Sequence, residues 1–128
     1  MRTLITLLIA VSLCVPLEAK SLDKVRDKVL LSVAHVRGTG IDEEMGIEYL
    51  YGCTTFAIGI RKFLTDEHCV GSNMTVDGHR AVALKVDAKR DLAILMVDYQ
   101  IPILNLRKKP LTYLEEVRAF GYGYSWGK

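Results

Sequence analysis

From Val29 onward the chain is a succession of short apolar runs broken by turn residues about every 8 to 12 positions, a spacing that constrains the fold more than any single residue does. Val29 to Val36 is rich in valine and ends at Gly38-Thr39-Gly40. Ile47 to Tyr51 and Cys53 to Ile60 read as successive strands. In the second, Thr54, Phe56, Ile58 and Ile60 alternate with Thr55, Ala57 and Gly59, the period of two of a half-buried strand. Phe63 to Thr65 is a shorter strand. Met74 to Val76 runs into Asp77-Gly78, a hairpin dipeptide, and His79 to Val86 alternates again through Val82, Leu84 and Val86. Leu92 to Val97 is continuously apolar, as a buried strand is, and Val117 to Phe120 is expected to be the last strand. Only Ser21 to Lys28, with Leu22, Val25 and Val29 at helical spacing, reads as a helix. The pattern predicts an all-β barrel or sandwich.

At 128 residues the chain has room for one domain. Half of it is apolar and a quarter charged, the balance of a globular protein. The net charge is +2, with Arg107-Lys108-Lys109 as the one basic cluster, which argues against nucleic acid as a partner. The N-terminus reads as a signal peptide. Arg2 precedes an apolar run from Leu4 to Val15, which Pro16-Leu17-Glu18-Ala19 breaks. A membrane span needs about 20 apolar residues, so the expectation is cleavage after Ala19 and export, secreted or periplasmic, with no span. Bulky Leu13 before Cys14 argues against lipid anchoring.

Export also governs the cysteines. With Cys14 removed, Cys53 and Cys69 form an even pair in an oxidising compartment, where a disulfide is the default. His68 adjoins Cys69, and Asp91 opens the run Leu92-Ala93-Ile94-Leu95. A disulfide beside a histidine can hold it in one orientation. A carboxylate accepting from one ring N–H fixes the tautomer and stabilises an imidazolium, which makes His68 a candidate base and Asp91 its candidate orienter. Asp87 and Asp98 are weaker orienters because neither directly opens the apolar run. Zinc held by Cys53, Cys69, His68 and His79 is the competing chemistry, but adjacent His-Cys ligands depart from the usual spacing. His35 and His79 read as structural, and Asn73-Met74-Thr75 as a glycosylation sequon relevant only in a eukaryotic secretory route.

The run Phe63-Leu64-Thr65-Asp66-Glu67-His68-Cys69-Val70 resembles the catalytic-histidine segment of trypsin-like (chymotrypsin-fold) serine proteases. Gly52-Cys53-Thr54-Thr55-Phe56-Ala57-Ile58 is similar to the segment bearing the family's partner cysteine, and Val86-Asp87-Ala88-Lys89-Arg90-Asp91-Leu92-Ala93-Ile94-Leu95 to its catalytic-aspartate strand in bacterial, Deg-type members. Val117-Arg118-Ala119-Phe120-Gly121-Tyr122-Gly123 looks like the strand that follows. The resemblance implies that residues 20–128 are the six-stranded antiparallel N-terminal barrel of such an enzyme, with His68 as general base, Asp91 as orienter, Cys53–Cys69 bridged, no cofactor or metal, and a peptide or protein substrate. Two departures stand out. Asp66-Glu67 replaces the small or neutral residues that usually precede the histidine, and no Gly-Asp-Ser-Gly-Gly-type loop or second barrel follows. Ser125 lacks the flanking glycines of a nucleophile. Three readings therefore stay open: an incomplete serine endopeptidase, a non-catalytic exported binding module of protease descent, or a small ligand-binding barrel. In the second, a partner or dimer is expected to cover the face where a second barrel would pack.

Overall fold

A computed structural model describes residues 23–122. The expected signal peptide (1–19), Cys14, Ser125 and Trp126 lie outside the described residues. Residues 23–30 are helical, with an ion pair of 3.3 Å between Arg26 and Asp23 one turn apart, and they fall in a unit of their own ending at Leu30.

The second unit is built from six antiparallel strands: β1 (Val33–Ile41), β2 (Glu48–Gly59), β3 (Lys62–Thr65), β4 (Ser72–Val76), β5 (His79–Asp87) and β6 (Leu92–Val97). Around the barrel they run β1-β2-β3-β6-β5-β4 and close, so the all-β barrel expected from the strand spacing is the observed fold. Local hairpins make β1–β2, β2–β3, β4–β5 and β5–β6. Closure needs two long-range ladders, β3–β6 and β1–β4. The Asp77-Gly78 hairpin forms as expected, both residues having positive φ (47° and 84°) as a type I′ turn requires.

Three local expectations change. The two runs on either side of Gly52 are one strand of 12 residues, β2. Gly52 is no break there; a Cβ on it would lie 2.6 Å from His35 Nε2, so glycine permits the close approach of β1. Leu92 to Val97 is not buried on both faces, since Ala93, Leu95 and Val97 point inward and the residues between them are only partly covered or exposed. Residues 117–120 form no strand. The chain instead returns to β2 through one hydrogen bond, Tyr122 N–H donating to Thr54 Oγ1 at 2.7 Å. At Thr54 β2 is laddered to β1 through His35, while its ladder with β3 runs only from Phe56 to Gly59.

The interior is narrow and filled by size. Ala34, Ala57, Ala81 and Ala93 leave the volume that Phe63, Leu95, Val36, Val76 and Val97 occupy. Hence the small set of β2, Thr55 and Ala57, faces inward, whereas Phe56 and Ile58 are only partly covered and Ile60 is exposed. In β5 only Ala81 is buried; Val82, Leu84 and Val86 are about half exposed, and the register shifts between Ala83 and Lys85. The two buried threonines are satisfied within the sheet. Thr55 Oγ1 donates to Leu64 O at 2.8 Å and Thr65 Oγ1 to Thr54 O at 2.9 Å. These bonds tie β2 to β3 just ahead of the histidine.

Candidate functional site

β3 ends at Thr65, and the chain then makes one turn of 3₁₀ helix, Glu67–Cys69, closed by Cys69 N–H to Asp66 O (3.1 Å) and Val70 N–H to Glu67 O (2.9 Å). β6, which begins one residue after Asp91, is laddered to β3 through Lys62–Met96, Phe63–Leu95, Leu64–Ile94 and Thr65–Ala93. The ladder's last pair brings together a residue three before His68 and one two after Asp91. Two side chains 23 positions apart in sequence are thereby set at one rim of the barrel.

Asp91 makes two bonds to the same residue. Its Oδ1 accepts the backbone N–H of His68 at 3.0 Å, and its Oδ2 lies 2.7 Å from His68 Nδ1. A carboxylate can only accept, so Nδ1 carries the proton, and in the neutral ring Nε2 is left with a free lone pair. Asp91 adopts φ 53°, a left-handed conformation that aspartate tolerates better than most residues, at the start of β6. Both side chains are open to solvent, His68 at 65% and Asp91 at 50%.

The hydrogen bond that the ring donates to Asp91 holds the His68 pKa above its usual 6.5, with smaller contributions from the charges of Asp91, Asp66 and Glu67. The unusual acidic pair before the histidine therefore acts in the same direction as Asp91. Asp66 does so from the other side of the ring, with Oδ2 4.0 Å from Nε2. Asp91 is held below its usual 3.8, first by the backbone N–H of His68 and then by the ring. His35 is displaced the opposite way, lowered by burial and then by Arg37, whose Nε donates to His35 Nδ1 at 3.2 Å, against a smaller opposing pull from Asp77. His68 and His35 are thus expected to titrate on opposite sides of 6.5 when followed by histidine NMR, and Asp91→Asn to bring His68 down toward 6.5 while leaving His35 unmoved. A common midpoint would contradict the geometry. For stability, the His68 contribution is full below pH 6.5 and fades as pH rises through its folded pKa. The Asp91 contribution is full above 3.8 and fades as pH falls through its own. The pair therefore supports the fold most between those two values, and salt weakens it because both groups are exposed.

Cys53 and Cys69 are bridged, with S–S 2.07 Å, as expected. The bridge also decides the zinc question from the donor set. Asp66, His68 and Cys69 lie close enough to share an ion, but the Cys69 sulfur is committed to the disulfide and His68 Nδ1 to Asp91. His79 stands apart from this group, stacked on Tyr99 with ring centroids 4.3 Å apart. What remains is one imidazole nitrogen and one carboxylate, too few for a structural zinc site. Of the competing carboxylates, Asp87 pairs with Arg90 at 3.3 Å and Asp98 with Arg61 at 3.7 Å.

A cleft of about 270 Å³ opens beside the imidazole, lined by Thr39, Gly40, Tyr49, Tyr51, His68 and Gly71. A larger one, about 480 Å³, lies between β4 and β5 and has Arg80 as its only ionisable side chain. A third, also of about 270 Å³, is lined by His35, Arg37, Thr75, Asp77 and Gly78, so what distinguishes the cleft at His68 is the Asp91 pairing and not its size. Tyr51, whose hydroxyl donates to Cys69 O at 2.8 Å, is the participant that sequence reasoning missed. A tyrosine in a β-run carries no sign of the long-range acceptor it will meet. No helix among the described residues is long and apolar enough to cross a membrane. Scanned against protein-family models the chain finds no match, and a search of the curated proteins finds none either.

Proposed function

We propose that this barrel is the base-bearing part of an exported trypsin-like serine endopeptidase, in which His68 is the general base and Asp91 holds it in register. The observation that carries the reading is the pair of hydrogen bonds that Asp91 accepts from His68, one oxygen taking the backbone N–H and the other Nδ1–H. A carboxylate merely neutralising a nearby cation needs no such bidentate hold on a single residue. It leaves Nε2 as the open nitrogen of a ring whose rotation is restricted. The disulfide at the neighbouring residue and the order histidine, cysteine, aspartate along the chain support the same reading.

In this mechanism Nε2 takes the proton from a serine hydroxyl as its oxygen attacks the scissile carbonyl. Asp91 stabilises the imidazolium that results, and the proton then passes to the leaving amine. The serine and the oxyanion donors are supplied from outside these 128 residues. Leu106, Leu111, Tyr113, Leu114 and Val117, all more than half exposed, are where we expect this barrel to meet the remainder of the enzyme or another partner.

The test uses the complete product of the gene. It is expected to react with a fluorophosphonate probe at a serine and to hydrolyse a denatured protein, and His68→Ala is expected to abolish both. Labelling that survives His68→Ala, or a complete product that neither labels nor hydrolyses, would sink the proposal.

A further inference from the structure

Tyr51 sits on β2 two residues before the bridged Cys53, and its ring lies across two glycines. A Cβ on Gly38 of β1 would stand 2.3 Å from Tyr51 Oη, and one on Gly71 would stand 2.5 Å from the same oxygen. Both are closer than real Cβ contacts come, so glycine at these places is what makes room for the hydroxyl. From that seat Oη donates to the carbonyl of Cys69 at 2.8 Å. Burial, followed by the neighbouring Tyr49, keeps the phenol pKa above its usual 10.0, so Tyr51 remains a donor at any physiological pH.

We propose that Tyr51 is a positioning residue for His68: by fixing the Cys69 carbonyl it sets the direction in which the 3₁₀ turn presents the imidazole to Asp91. The inference rests on reading His68 and Asp91 as a base and its orienter. The disulfide holds the side chain of Cys69, and the peptide plane after it is otherwise tied only within the turn, through Val70 N–H to Glu67 O. Asp91 holds the peptide N–H of His68. The Tyr51 hydroxyl supplies the third hold, on the carbonyl side of the same dipeptide, so His68-Cys69 is gripped before, within and after. The turn's own bonds, from Cys69 N–H and Val70 N–H, both run back to the acidic pair Asp66-Glu67 and provide no tie to the barrel wall. Tyr51 and His68 also line the same cleft, so the tie acts at the open face of the site.

The experiment follows His68 by NMR in the whole chain with ¹⁵N-labelled histidine. Tyr51→Phe removes the hydroxyl and keeps the ring. The His68 Nδ1–H is expected to exchange with water roughly fivefold faster, the equivalent of one neutral hydrogen bond, and the His68 midpoint to move down toward 6.5. Gly38→Ala, which keeps the hydroxyl but occupies its seat, is expected to shift the midpoint the same way. Tyr113→Phe, on a residue 92% exposed, is expected to change neither readout. A role confined to barrel stability would speed amide exchange at Ala57 and Leu95 instead, with His68 unmoved. Unchanged His68 exchange and midpoint in Tyr51→Phe would overturn the proposal. If Asp91→Asn alone also leaves the midpoint where it was, the pairing of Asp91 with His68 falls first and the inference with it. If Asp91→Asn lowers it and Tyr51→Phe does not, only the positioning role is lost.

Discussion

Phe63→Ala is expected to lower the unfolding free energy by about 3–5 kcal/mol, read as a shift of the urea midpoint in a near-UV circular dichroism titration. Phe63 is fully buried and is the largest side chain in the barrel interior. It faces Leu95 across the β3–β6 ladder and Ala57 across β2–β3, and its ring lies parallel to that of Tyr99 with centroids 6.3 Å apart. The alanines around it cannot grow into the space it leaves, so the cost includes a cavity as well as lost burial. Since whole domains are stable by only about 5–15 kcal/mol, this one substitution removes a large share. The same loss reaches the site. Phe63 clamps β3, which leads to His68, onto β6, which follows Asp91, so the His68 midpoint is expected to fall toward 6.5 in the folded fraction. Ile60→Ala, at a side chain 77% exposed three residues earlier, is expected to change stability by less than about 0.5 kcal/mol. A loss below about 1.5 kcal/mol at Phe63 would mean that the interior collapses around the hole.

Replacing both Cys53 and Cys69 by alanine is expected to cost about 3 kcal/mol, within the range of roughly 2–5 seen when small exported domains lose a native bridge. The bridge closes a loop of 16 positions that contains the β2–β3 hairpin and the histidine turn. In the reduced chain that loop is free, and its closure entropy must be met again on folding. Thermal unfolding of the wild type with and without reductant checks this independently of mutation. Reduced wild type and the double-alanine variant are expected to melt together, well below the oxidised protein. Equal melting of oxidised and reduced wild type would refute a stabilising bridge. The effect should be larger on the site than on the far rim, because Cys69 is the residue next to His68 while β4–β5 has its own hairpin.

The local hairpins were legible because each has a local cause. Asp77-Gly78 tolerates the positive φ its turn needs, and the alternation in residues 53–60 marks a two-faced strand. Which face turns inward was not legible. Phe56 and Ile58 are the more apolar set of β2, yet Thr55 and Ala57 are buried, because the width of the closed barrel and not hydrophobicity alone decides what fits. The strand expected at 117–120 does not form: its residue pattern suits a strand, yet the chain there meets β2 through a single hydrogen bond, Tyr122 N–H to Thr54 Oγ1. Of the site, His68, Asp91 and the cysteine pair could be picked out by residue type and order. Tyr51 could not, since its role arises from Gly38 and Gly71 lying beneath its hydroxyl.

The sequence by itself determined an all-β chain with a histidine beside one of its cysteines and an aspartate at the mouth of an apolar strand, because these are matters of periodicity, residue order and local turn chemistry. Only the tertiary structure decided that Asp91 grips His68 at both its backbone and its ring, that Asp66 sits 4.0 Å from the opposite ring nitrogen, and that Tyr51 holds the carbonyl behind it. The grip of Asp91 depends on the long-range β3–β6 ladder, which leaves no trace in the spacing of either strand. The Tyr51 bond depends on how the β2–β3 hairpin and the disulfide bring the histidine turn against β2, and the Asp66 distance on the conformation of that turn.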